Sequence, residues 1–259
     1  MSRLPHLSRN TSSKRRRLRS AGRRRMLVET LECRRLLAAD DGGAGTDDPA
    51  PYLFQIEESG EPNQIRIVVE EESLQVWDEV AQSLLDQIPL ECVSEITVAG
   101  SLDPDELIVD FQGGDFTVPI NYDGSDPTTG SGDSLTLING ETESVTHQLQ
   151  DFASGEIIAA GTTLNQSISY TGLEPINDAL VAANRLFIFL GGAESIQFSD
   201  DAIANNDDFN LIDSTASESI RFRNPTNSLL IDSADVIVIC TVGEWDLMSS
   251  FPSMTIDAG

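Results

Sequence analysis

The chain has 259 residues, with 16 basic and 43 acidic side chains and a formal net charge of −27. It is long enough to bury a core, and no apolar run approaches the ~20 residues that a membrane-spanning helix needs. Twelve of the 16 basic residues lie between Arg3 and Arg35, so residues 40–259 hold four arginines against 41 acids, a net charge of −37; such a body repels phosphate backbones and is not expected to bind nucleic acid.

Residues 1–39 form the basic leader, expected to be disordered, with Lys14-Arg15-Arg16-Arg17 and Arg23-Arg24-Arg25. A standard export signal has an uninterrupted apolar stretch before small cleavage-site residues. Here Glu29, Glu32, Arg34 and Arg35 interrupt it. Generic rules therefore give a poor signal, or a polybasic arm for an anionic partner. Leu31-Glu32-Cys33-Arg34-Arg35-Leu36-Leu37, with a basic stretch before it and Ala38-Ala39-Asp40 after it, resembles the LEPR-XLL leader of large exported planctomycete surface proteins. Cys33 stands where that family has proline. The resemblance implies an export motif carried by Leu31, Glu32, Arg34, Leu36 and Leu37, and a secreted or cell-surface protein.

Residues 40–51 are Asp, Gly, Thr, Ala and Pro with no large apolar side chain, a composition expected to give a flexible acidic linker. From Tyr52 to Gly259 short β-branched or aromatic runs alternate with Asn, Asp, Gly and Pro. This predicts strands near Ile65–Val69, Glu95–Ala99, Leu107–Phe111, Phe116–Ile120, Leu135–Ile138, Glu156–Ala160, Ser167–Tyr170, Leu186–Leu190, Ile220–Arg223, Leu229–Asp232 and Val236–Thr241. Over Asp78–Ile88 the spacing of Val80, Leu84, Leu85 and Ile88 predicts one short helix ended by Pro89, and Val181–Arg185 fits a helical turn.

The fold class is mainly β, with many short strands. Glu-Ser-apolar-x-apolar recurs at Glu72–Val76, Glu194–Phe198 and Glu218–Phe222, and at Glu143–His147 with His147 in the last apolar slot. Glu194 and Glu218 are 24 residues apart, about one coil of a β-solenoid. A β-solenoid is therefore favoured over a β-sandwich. Asp105–Gly114, Asp126–Leu135, Ser169–Ile176 and Leu186–Thr226 resemble a module of the same surface proteins, over roughly residues 95–240. This implies an extracellular module with structural or adhesive work, whose partners are surface glycans or other surface proteins. Relatives run on into Gly/Asp-rich repeats, so the copy is expected to be truncated, and a non-functional fragment is one alternative.

The signs of catalysis are weak, and no enzyme is expected. His147 has Asp151 four residues on, and a Ser-His-Asp site is conceivable. The motif instead puts His147 on a half-buried strand face. A solenoid polysaccharide lyase or hydrolase is the enzymatic alternative. Arg66, Arg185, Arg221 and Arg223 are its only fixed cations; Arg221 and Arg223 share one strand face by period two and are expected to pair with neighbouring acids. Calcium is the better chemistry, because it takes 6–8 oxygen ligands in flexible loops. The candidate ligands are Asp123, Asp126 and Asp133 around Gly124, Gly130 and Gly132, and Asp200, Asp201, Asp207 and Asp208 in a second loop. Cys92 and Cys240 are either a disulfide or two buried thiols.

Overall fold

Strand after strand in this chain buries every second residue, as a sheet with one face on a core requires. Asp133–Ile138 alternates buried and half-buried positions throughout, and so does Val145–Leu149. A computed structural model describes residues 48–125, 132–151, 153–191, 195–201, 203, 208–215, 217–233, 237–238 and 253–257. All belong to one of the two compact units of the chain, Leu31–Gly259.

The described strands are β1 (Ala50–Gln55), β2 (Asn63–Glu70), β3 (Ser73–Asp78), β4 (Ser83–Pro89), β5 (Val93–Ala99), β6 (Asp105–Asp110), β7 (Ile120–Asp123), β8 (Asp133–Ile138), β9 (Glu141–Leu149) and β10 (Gly155–Ala160). They continue as β11 (Gln166–Thr171), β12 (Leu173–Asp178), β13 (Val181–Phe189), β14 (Ser195–Asp200), β15 (Phe209–Ser214), β16 (Ile220–Arg223), β17 (Ser228–Ser233), β18 (Ile237–Val238) and β19 (Ser253–Asp257). They form two sheets, in the orders β1-β5-β7-β11-β10-β9-β13-β17-β19 and β18-β14-β15-β16-β12-β8-β6-β2-β3-β4. The chain is mainly β. Among the described residues the one helical element is the 3-10 turn Leu90–Cys92.

From β5 to β8 the chain changes sheet at every strand, and each strand pairs parallel with an earlier one, β5 with β1, β6 with β2, β7 with β5 and β8 with β6. Antiparallel meanders interrupt this path. β9, β10 and β11 form one in the first sheet, and β11 returns to lie parallel to β7. β14, β15 and β16 form one in the second sheet, and β16 returns beside β12. β2, β3 and β4 form a third at the sheet end. The inner faces meet in one apolar core that includes Ile96, Ile120, Leu135, Leu137, Ile176, Phe187 and Phe222. Phe187 of the first sheet lies 4.9 Å from Phe222 of the second, ring centroid to centroid.

Several expectations are corrected. Asp78–Ile88 is not a helix but the end of β3, a turn and β4. Pairing with β3, whose Leu74 and Val76 are fully buried, overrides the helical spacing. Val181–Arg185 opens β13. Phe116–Ile120 enters a strand only at Ile120, because Thr117 takes a φ of +58°. β1 begins at Ala50, inside the segment expected as linker. The Glu-Ser motifs do not lie on neighbouring strands. Ser195 opens β14, Glu218-Ser219 precedes β16, and antiparallel β15 runs between them. The 24-residue spacing is thus the length of a meander. Of the strand expected at Val236–Thr241 only Ile237–Val238 is described; the rest of it, with Asp126, Asp207 and Cys240, lies outside the described residues.

Candidate functional site

Two inward-facing positions carry charge-bearing groups where the sequence pattern calls for apolar ones. In β9, His147 lies between Val145 and Leu149 on the buried face; in β13, Arg185 precedes Phe187 and Phe189 on theirs. Asp178 ends β12 in the opposite sheet. All three side chains are fully buried. His147 Nε2 lies 2.9 Å from Asp178 Oδ2. Arg185 donates to both carboxylate oxygens, Nη2 at 3.3 Å from Oδ1, and Nη2 also donates to the Leu180 carbonyl at 2.6 Å. Leu180 N completes the set on Asp178 Oδ1 at 2.9 Å. The His147 ring stacks on Phe187 at 4.9 Å with the planes 12° apart.

The electrostatics follow from burial. Desolvation lowers the His147 pKa below its ordinary value, and the Asp178 carboxylate only partly offsets this. Burial works to raise Asp178, but the Arg185 guanidinium and the hydrogen bond to His147 together override it and hold the carboxyl below the ordinary range. The cluster is therefore one carboxylate, one guanidinium and a neutral imidazole, a charge-balanced joint between the sheets. His147 Nδ1 and Arg185 Nε have no hydrogen-bond partner among the described residues. Asp151, the partner that a Ser-His-Asp arrangement would need, instead accepts from Ala153 N at 3.1 Å. The expected half-buried position of His147 is corrected to a sealed one, because β12 covers it from the second sheet. The signal that could have found the cluster was the pair of polar residues in period with buried apolar neighbours.

The acidic candidates are dispersed. Asp133 is fully buried at the start of β8. Its Oδ1 accepts from Asp105 N at 2.6 Å, and its Oδ2 has no partner among the described residues. Burial, with the Asp105 and Asp123 charges adding to it, pushes its pKa up to about 7. Asp123 is exposed and accepts from Ser125 N at 3.0 Å and Thr171 Oγ1 at 3.2 Å. Asp200 ends β14. Asp201 accepts from Arg221 at 2.9 Å, and Asp208 lies 3.4 Å from Arg223. Among the described residues no group of three or more acidic, His or Cys side chains converges in a way that could hold a metal.

Arg221 and Arg223 pair with acids as expected, and Arg66 and Arg185 do so too. Arg66 bonds Glu79 and lies 3.4 Å from Asp110, and Arg185, Arg221 and Arg223 take Asp178, Asp201 and Asp208. Arg221 and Arg223 share one strand face, as the period of two requires, and both approach the Phe209 ring, at 3.8 and 5.9 Å. Cys92 is disulfide-bonded, and the other cysteines, Cys33 and Cys240, lie outside the described residues.

A family described as Planctomycete extracellular matches residues 22–40, the segment that holds Leu31–Leu37. The protein is secreted or displayed at the cell surface. No curated protein and no solved structure matches the chain. Among the described residues no helix is long and apolar enough to cross a membrane.

Proposed function

We propose that the body is a non-catalytic extracellular β module with structural or adhesive work, exported by an LEPR-XLL-type motif at Leu31–Leu37. The supporting observation is that the body's histidine and its arginines already hold carboxylates of the same chain. His147 is sealed between the sheets, and each body arginine is bonded to an acid of its own. An acid–base group must reach its substrate, and an anionic sugar would have to displace those carboxylates. The test is a screen of the purified protein on sulfated and uronate glycans. The expected result is no chain cleavage; turnover that disappears in Arg221→Ala would establish the lyase alternative instead.

Two finer features belong to the same reading. The run from β5 to β8, alternating between sheets with parallel pairing, supports a solenoid-type coil interrupted by meanders. Calcium at Asp123, Asp126 and Asp133 would stabilise the loop between β7 and β8, where the buried Asp133 Oδ2 is a free acceptor. The second loop is the weaker of the two, because Asp201 and Asp208 already hold guanidinium groups. A ligand that binds only the native state raises its melting temperature. Millimolar calcium should therefore raise it and chelator should reverse the shift; identical melts would remove the metal from the reading.

A further inference from the structure

The first sheet ends on β1, which pairs only with β5 among the described residues. Ile56 donates its amide to Ala99. By the two-residue period, the amides of Tyr52 and Phe54 also face β5, and those of Leu53 and Gln55 face the open edge. Pro51, which has no amide hydrogen, occupies another edge-facing slot and costs the ladder nothing. The register shifts once, between Ala50 and Pro51 at the start of β1, and is unbroken from Pro51 to Gln55. The neighbouring edge strand β4, tied to β1 by Tyr52 Oη donating to Asp86 at 2.7 Å, carries a register shift opposite Val76/Trp77, and a bulge of that kind blunts an edge.

The side chains define what β1 can accept. Leu53, at its centre, is 65 % exposed, and Leu84, Leu85 and Val80 are exposed on or beside β4. Natural edges are commonly protected by lysine, and the body contains no lysine. Acids flank the strand at both ends instead, Asp48 before it and Glu57-Glu58 after it, all exposed. A second copy laid along this edge in either direction would set acids against acids, so the flanks act against self-pairing. A strand with an apolar centre and basic ends would meet both features.

We infer that β1 is an acceptor edge for an extended segment of a partner protein, apolar in the middle and Lys- or Arg-rich at both ends, added to the sheet by main-chain hydrogen bonding. This mode draws affinity from the backbone and specificity from alternate side chains. It deepens the adhesive reading by naming a class of partner, and it stands whether or not calcium or glycans bind.

The experiment uses the full chain and a fluorescent Val/Thr peptide with a lysine pair at each end, followed by anisotropy. A twin with glutamate pairs is the control. The lysine peptide should bind at least about tenfold more tightly than its twin. Leu53→Pro removes an edge-facing amide and leaves the β1–β5 ladder intact, so it should weaken binding about tenfold with the melting temperature preserved. Glu57→Gln with Glu58→Gln changes only exposed side chains and should narrow the gap between the peptides. Absent binding, equal binding of both peptides, or unchanged binding by both variants would overturn the proposal. So would a concentration-dependent dimer abolished by Leu53→Pro, which would make the occupant a second copy.

Discussion

At the scale of single residues, Asp178 holds the joint between the sheets, because Arg185, His147 and the Leu180 amide all converge on it. Breaking a buried pair from one side leaves an uncompensated charge. Asp178→Asn should therefore cost about 3–5 kcal/mol in chemical denaturation. His147→Phe preserves the stack on Phe187 and leaves Arg185 on the carboxylate, so it should cost less, about 1–3 kcal/mol. Two groups set opposing pH windows. The folded His147 pKa lies below its unfolded 6.5, so the native state takes up fewer protons and loses stability as pH falls below 6.5. The Asp133 pKa is raised from 3.8 to about 7, so its contribution is full below 3.8 and is lost as pH rises through 7. Asp133→Asn should accordingly gain stability relative to the parent as pH rises through that window, read from melting temperatures at its two ends. A gain only on the acid side would refute the assignment.

At the scale of elements, the turn from β2 to β3 is made by Glu71 and Glu72, with φ of +49° and +62°. A two-residue hairpin loop with both φ positive is the geometry that Asn-Gly adopts without strain. Two glutamates in that region cost about 1–2 kcal/mol each. Glu71→Asn with Glu72→Gly should therefore stabilise the protein by about 1–2 kcal/mol, measured as a rise in denaturation midpoint at constant slope. The same turn explains why the hairpin was hidden in the sequence: it carries none of the residues that announce one. Val80, Leu84 and Leu85 misled in a related way. Their spacing fits a helix, yet all three are exposed, so the pattern reports no buried face.

At the scale of the molecule, the disulfide at Cys92 is the feature most open to test. Removing a native disulfide typically costs 2–5 kcal/mol. Cys92→Ser should lose about that much, and reductant should bring the parent to the same stability without affecting the variant. Non-reducing peptide mapping is expected to find Cys92 joined to Cys240. A Cys33 linkage would instead tie the body to the leader sequence.

The sequence by itself determined the mainly β class, about half of the strand positions, the pairing of Arg221 and Arg223 with acids and the extracellular destination. These rest on local information: period-two burial, turn residues, a gross charge imbalance and a short linear motif. Only the tertiary structure decided that β9, β12 and β13 bring His147, Asp178 and Arg185 together, that the 24-residue motif spacing is a meander and not neighbouring strands, and that β1 is the end strand of its sheet among the described residues. Strand order and cross-sheet contacts depend on which elements meet after the chain folds back. Residues 31 positions apart, such as His147 and Asp178, leave no local trace of that meeting beyond a polar side chain in an apolar slot.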